Sequence, residues 1–370
     1  MPEIRAPKIS SRELERKFVL EAGRFGWLPS QTGMNFEDGL LSQQDELDWS
    51  YLTTQLYRHR LLGLAWQMLS GPWGTAGGRM PRGYALTETW YRATSHRNRV
   101  MSREIHRFAE ALHAAEVDMV LRRGPALIGH VYDDIGVRPM SDIDVLVRPG
   151  HEKRFMAAMK ELGYRTGDIS PDKTQILPAE HAGRALSRLL LETKDTVLPV
   201  LIVDPGNSLL ETDLASGLDT EGIFQAAVQE EHAEVGMVSV MAPHHLILDL
   251  CTHLYEESTT AAYVQRGRFQ RIMQYVDLLA LAARTDPPWE TVVSSAREYG
   301  LGAPVYFALE NARRLYSDAP VPQEVTQRLA AEAEVAPGFL DSYGGDAEGK
   351  PRQWSMSVAD RMFLESLPIA

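Results

Sequence analysis

The sequence predicts an α+β fold: a small mixed β-sheet core flanked by helices, with helical regions before and after it. Two observations carry this. A short apolar run at 119–121 and strand-like runs at 141–147, 189–193, 197–204 and 235–241 all fall in the middle of the chain. On either side the apolar residues recur at helical spacing, over 48–70 and 85–116 before, and over 242–257 and 267–284 after. The expected organisation is an N-terminal helical region (1–115), a core (116–241) and a C-terminal helical region (242–370).

With 370 residues the chain is long enough for two or three domains or subdomains with ample core. The single cysteine, Cys251, excludes an intramolecular disulfide, fits a reducing compartment and is expected to be buried and inert. The first residues, MPEIRAPKISSRELERK, are charged and lack the apolar core of a signal peptide, and no apolar run approaches ~18 residues. A cytoplasmic protein with no membrane span is therefore expected. The net charge of −12 argues against an extended nucleic-acid surface, yet it is compatible with a local basic pocket for one nucleotide, or with plain solubility.

Residues 1–45 read as short helical pieces broken by Gly26, Pro29, Gly33 and Gly39. Tyr51, Leu52, Leu56, Leu61, Leu62, Leu64 and Met68 give the next helical stretch. The Gly- and Pro-rich segment 71–83 is either a surface connection or a lid. A long helix follows over 85–116, with Thr87 as its N-cap and Trp90, Val100, Ile105, Phe108 and Leu112 as its stripe. Its arginines, at 92, 97, 99, 103 and 107, make either a solvated face or contacts to a triphosphate.

The most informative stretch is 118–147. Gly124 follows the first apolar run and opens a helix-like segment through Ala126, Leu127, Val131 and Tyr132, with Gly136 as the expected left-handed stop. A helix opening at a glycine leaves backbone N–H groups free for an anion. Asp142 and Asp144 interrupt the next apolar strand and project from the same side of it. They are either two solvated aspartates at a strand end or a carboxylate pair that needs a cation between them, for which Mg²⁺ with substrate phosphates is the usual answer.

Arg138, Asp142, Ile143, Asp144, Leu146 and Val147 fit the pattern Arg-x-x-x-Asp-Ile-Asp-x-Leu-Val. With the preceding Gly124 and Tyr132, the segment resembles the signature of an uncharacterised nucleotidyltransferase family of the polymerase-beta-like superfamily. That resemblance implies a nucleotidyltransferase core, Mg²⁺ (or Mn²⁺) held by Asp142, Asp144 and a third carboxylate, and an NTP, expected to be ATP, bound around Arg123, Gly124, Arg138 and Ser141. The sequence departs from the family at Arg123, where a lysine is usual, and at Gly124-Pro125, where the superfamily has Gly-Ser or Gly-Gly.

Beyond the signature, 150–164 is an amphipathic helix ending at Gly163. The two strands 189–193 and 197–204 are joined by a turn near Lys194-Asp195. Asp204 ends the second, before Pro205-Gly206, and is either a turn residue or a site residue. The resemblance implies that it is the third carboxylate, although the family's Asp-Leu-His-Trp is here Asp204-Pro205-Gly206-Asn207. After a linker (208–240) holding a helix and the 235–241 strand comes a helix opened by Pro243. His245, Asp249 and His253 lie on one face of it, as a hydrogen-bonded seam or a metal site. The family also carries histidine here. Arg271 and Asp277, in the helix 267–284, loosely match family positions and are otherwise surface charges. Two or three helices over 285–335, a loop at 337–354 and a short terminal helix complete the chain.

The expected activity is metal-dependent transfer of a nucleoside monophosphate from an NTP to a small-molecule or peptide acceptor. The alternatives are a non-catalytic binding module on the same fold, or a toxin-like enzyme that nucleotidylates protein or RNA.

Overall fold

The computed structural model describes residues 12–28, 45–71, 83–178, 186–209, 220–232, 236–267, 271–344 and 350–364. The fold is α+β, built on a seven-stranded mixed sheet. The chain divides into two compact units, 89–249 and 1–88 with 250–370. Among the described residues no helix is long and apolar enough to cross a membrane.

The sheet lies in the unit 89–249. Its strands, with a small outlying pair, are β1 (Met119–Leu121), β2 (Ile143–Val147), β3 (Arg165–Thr166), β4 (Asp168–Ile169), β5 (Ile176–Leu177), β6 (Leu189–Glu192), β7 (Val200–Gly206), β8 (Val228–His232) and β9 (Gly236–Val240). The order is β3-β6-β7-β2-β1-β9-β8, while β4 and β5 pair separately. β2 runs parallel to β7 and antiparallel to β1, so the apolar runs at 143–147 and 200–203 occupy the middle, where Ile143, Val145, Leu146, Val147, Leu201 and Val203 are fully buried. The helix Glu152–Glu161 buries Phe155 and Met159, and Gly163 ends it at φ 90°, a conformation that favours glycine. The helix Tyr84–Ala114 buries Met101, Ile105, Phe108 and Leu112.

Several expectations need correction. The long helix starts at Tyr84, and Thr87 lies inside its first turn, where its hydroxyl donates to the Tyr84 carbonyl. The helix at Gly124 is only Arg123–Leu127. It breaks at Ile128, and the left-handed glycine is Gly129 (φ 82°), not Gly136. Gly136 is small for another reason: a Cβ there would run into the Tyr91 ring. β7 continues through Pro205 and Gly206, in register with Val145 and Leu146, so Asp204 is inside the strand rather than at its end.

The other unit is helical. Its helices include Glu13–Arg24, Trp49–Arg58, Leu62–Ser70, Ile272–Thr285, Trp289–Glu298, Gly302–Leu315 and Gln323–Glu332. His59, 1 % exposed, ties the chain together: Nε2–H donates to the Met362 carbonyl (3.1 Å) and Nδ1 accepts from the Ile272 N–H (3.4 Å). The segment expected as a loop carries a short antiparallel pair, Ser342–Tyr343 with Arg352–Gln353. The glycine-rich segment 72–82 and residues 268–270 of the expected helix 267–284 lie outside the described residues.

Candidate functional site

β2 begins beside the residues that follow β1, because the two strands are antiparallel: the Arg122 N–H donates to the Asp144 carbonyl (3.1 Å). On the other side of β2, Asp144 and Asp204 are register partners in a parallel pair, on neighbouring strands about 4.8 Å apart. Asp142 lies in the bend just before β2, close enough for its charge to act on Asp144. Ser141 Oγ donates to Asp142 Oδ1 (2.8 Å). Thus the sheet gathers the three expected carboxylates at one place.

Arginines surround them. Arg123 Nη1 lies 3.1 Å from Asp144 Oδ1, and both side chains are largely enclosed. Arg123 has φ 48°, which L residues other than Asn and Asp rarely adopt, and such an outlier is held only by its surroundings. Arg188, just before β6, reaches Asp204 Oδ2 with Nη2 at 3.0 Å. Arg138 packs on Gly124, where a Cβ would collide with its guanidinium. Gly124 therefore makes room for a cation. The helix that it belongs to has only five residues, so the positive charge in this region is that of the guanidinium groups rather than of a helix terminus.

Asp144 has its carboxyl pushed up to about 7. Burial is the main cause; the Arg123 cation opposes it, and the Asp142 and Asp204 charges add to it. A site where burial and like charge outweigh an adjacent arginine favours an added cation. Three carboxylates are a hard-oxygen donor set suited to Mg²⁺ or Mn²⁺. As the side chains stand, however, among the described residues no group of three His, Cys, Asp or Glu is arranged to hold a metal ion. Asp144 and Asp204 are instead engaged by Arg123 and Arg188.

The scaffold that holds the site was not foreseen. Asn98, fully buried in the helix Tyr84–Ala114, donates from Nδ2 to the carbonyls of Ile135 (2.7 Å) and Arg138 (2.8 Å), and its Oδ1 accepts from the Met140 N–H (3.3 Å). It pins the loop that presents Arg138 and enters the aspartate strand. Tyr91 assists: its hydroxyl donates to Asp134 (3.0 Å), whose Oδ1 also accepts from the Gly136 N–H (2.9 Å). The arginines of the same helix serve structure too. Arg97 donates to the Met140 carbonyl (3.4 Å), Arg103 to that of Arg99 (3.3 Å), and Arg107 to that of Leu162 (3.2 Å).

Behind the site, Arg122 and Asp249 form a buried pair, with Arg122 Nη2 2.5 Å and Nε 3.1 Å from Asp249 Oδ1. The remaining Arg122 donors reach the carbonyls of Ser208 (3.0 Å) and Leu209 (3.3 Å), just beyond β7. Gly206 gives this guanidinium its space, since a Cβ there would lie 3.0 Å from Nη1. That close approach accounts for the glycine at 206.

Asp249 is thus committed to Arg122, an ion pair that helical spacing alone did not reveal. His245 is buried against His244, with ring centroids 4.1 Å apart, and burial pushes it down to about 4. His253 and Arg271 belong to the other unit. His253 stands 3.9 Å from Glu257, and Arg271 caps the helix Ile272–Thr285, its N–H donating to Gln274 Oε1 (3.1 Å). Asp277, nearby in that helix, is buried rather than a surface charge.

A cavity of about 560 Å³ opens at the other end of the sheet, where β1 starts and β2 ends. His106, His113, Asp118, Arg148, Phe224 and Met237 line it, and none of the three aspartates does. The chemistry-bearing residues and this cavity are separate features.

Residues 45–317, well over half of the chain, match the family described as uncharacterised nucleotidyltransferase. No curated protein matches the chain.

Proposed function

The chain belongs to this nucleotidyltransferase family, and from that premise we propose that it transfers a nucleoside monophosphate from an NTP, ATP first, to a hydroxyl on a small-molecule or peptide acceptor. The observation that carries the reading is the register of Asp144 with Asp204, with Asp142 just before β2.

Asp142, Asp144 and Asp204 would hold Mg²⁺ or Mn²⁺. Bound there, the ion would supply charge neutralisation for the phosphates and for the oxygens entering and leaving at phosphorus. Arg123, Arg138 and Ser141 orient the triphosphate, with Gly124 keeping the Arg138 guanidinium close to the chain. Arginine suits this task because its planar fork matches phosphate oxygens. The acceptor oxygen attacks the α-phosphorus and forms a new P–O bond. The bond to the β-phosphate bridging oxygen breaks, and pyrophosphate leaves. The hydroxyl proton passes to the Asp204 carboxylate, which is the more exposed of the register pair. Rate comes from positioning and preorganised charge rather than from covalent chemistry.

A second reading, a non-catalytic binding module, draws on the arginines that already engage Asp144 and Asp204. One experiment separates the readings. The full chain is incubated with Mg²⁺, each of the four α-phosphate-labelled NTPs and a cell extract. Label in small molecules or peptides supports the proposal, and label in protein or RNA supports a toxin-like enzyme. Absence of transfer from all four supports the binding module.

A further inference from the structure

We propose that Arg188 is an exchangeable counter-ion of the site: it neutralises Asp204 while the site holds no cation, and turns to the nucleotide phosphates when a metal-bound nucleotide takes that carboxylate. The inference rests on the functional reading above and adds a residue to it that neither spacing nor family resemblance identified.

The geometry distinguishes Arg188 from its neighbours. Arg122 is locked by Asp249 and two carbonyls. Arg123 and Asp144 form an enclosed pair, with side chains 9 % and 14 % exposed. Arg188 and Asp204 are 51 % and 37 % exposed. A water-exposed ion pair is screened and weak, so it opens at less cost than an enclosed one. The partner that Arg188 holds stands directly beside the central one. Asp204 is in register with Asp144, so whatever pairs with it sets the charge next to Asp144. A metal ion must compete with the guanidinium for the Asp204 oxygens. Once released, a long side chain anchored immediately before β6 stays next to β7 and is placed to meet phosphate oxygens.

This predicts opposite signs for two affinities. Without Arg188, its competition for Asp204 is gone, so a divalent cation alone binds more tightly. The nucleotide loses a phosphate partner, so it binds more weakly. A residue that merely supports the fold would weaken both or neither.

The experiment is calorimetric titration of the full chain and of Arg188→Gln, first with Mn²⁺ alone, then with MgATP, MgGTP, MgCTP and MgUTP. The expected result is Mn²⁺ binding several-fold tighter, and binding of the preferred nucleotide about tenfold weaker, the size of one lost charge-assisted hydrogen bond. Arg188→Lys is expected to fall between, since it keeps the charge and loses the fork. The inference is overturned if Arg188→Gln binds Mn²⁺ no more tightly than the wild-type chain, or binds the nucleotide equally well. A wild-type chain that binds none of the four nucleotides overturns the functional reading instead. Melting temperatures of both variants within a few degrees of wild type show that the fold is intact, as the exposure of Arg188 leads one to expect.

Discussion

Asp144 and Asp204 face each other in the register of two neighbouring parallel strands, although they are far apart in the chain. Each is engaged by a different arginine, Arg123 for Asp144 and Arg188 for Asp204. The pairing brings like charges together in a partly enclosed place, and the pH dependence of the site follows from it.

The first concerns pH. The folded state raises the Asp144 carboxyl to about 7, from an unfolded value of 3.8. A raised acid contributes stability that is complete below 3.8 and is lost as pH rises through about 7. Asp144→Asn removes that loss. The stability of Asp144→Asn relative to wild type, by urea denaturation without metal, is expected to grow from pH 4 to pH 7 and to level off above. In the wild-type chain Mg²⁺ or Mn²⁺ is expected to raise the melting temperature more at pH 8 than at pH 5, because protons compete for the same oxygens. A flat difference between the two chains would contradict the burial of this charge.

Asn98 is expected to matter more than its polarity suggests. Asn98→Ala leaves the carbonyls of Ile135 and Arg138 and the N–H of Met140 without their partner. The cost should be about 3 kcal/mol by urea denaturation, from the desolvation of those groups. Nucleotide affinity should fall as well, since the Arg138 loop loses its anchor. Retained affinity in a folded Asn98→Ala chain would show that this loop is held by other means.

For Arg122 and Asp249 the sign depends on how many partners are removed. Arg122→Met leaves the fully buried Asp249 without its cation and is expected to cost roughly 3–5 kcal/mol. Arg122→Met with Asp249→Leu should recover much of that loss, because the uncompensated charge is gone. If the double variant is no better than the single one, the pair does more than compensate charge, and the anchoring of Ser208 and Leu209 is the larger part.

His59 sets an acid limit for the helical unit. Burial first, then the Arg58 charge, pushes it down to about 3, and both ring nitrogens are used in the neutral form. A depressed histidine keeps its full stability above the unfolded value of 6.5 and loses it as pH falls towards 3. The slope is up to about 1.4 kcal/mol per pH unit. Wild type should therefore lose stability faster than His59→Gln between pH 6 and pH 4. Parallel pH profiles would mean that the ring protonates without unfolding anything.

Much of the fold was legible because strands with buried faces announce themselves. The run at 200–203 is apolar throughout, and Asp142 and Asp144 stood out because they break the apolar pattern at 141–147. β8 was missed for the opposite reason: Val228-Gln229-Glu230-Glu231-His232 is a mostly polar edge strand with no apolar period. The supporting shell was missed on other grounds. Arg122 meets Asp249 across 127 residues, and Asn98 meets Arg138 across 40, so neither contact exists until the sheet order and the helix position are set. Arg188 looks like any surface arginine until β6 is seen to pair antiparallel with β7. The helix at Gly124 was read too long because apolar spacing continues through Tyr132, while the extended Ile128 and the left-handed Gly129 end it after Leu127.

The measurement that bears most directly on the three aspartates is the rate of label transfer from an α-phosphate-labelled NTP, in extract with Mg²⁺, by the wild-type chain, Asp142→Asn and Asp144→Asn. Equal folding is checked by thermal melting. The expected result is at least a ~100-fold loss of rate in each variant, the scale on which removing a main electrostatic stabiliser acts. A folded variant that transfers label at the wild-type rate would contradict the assignment.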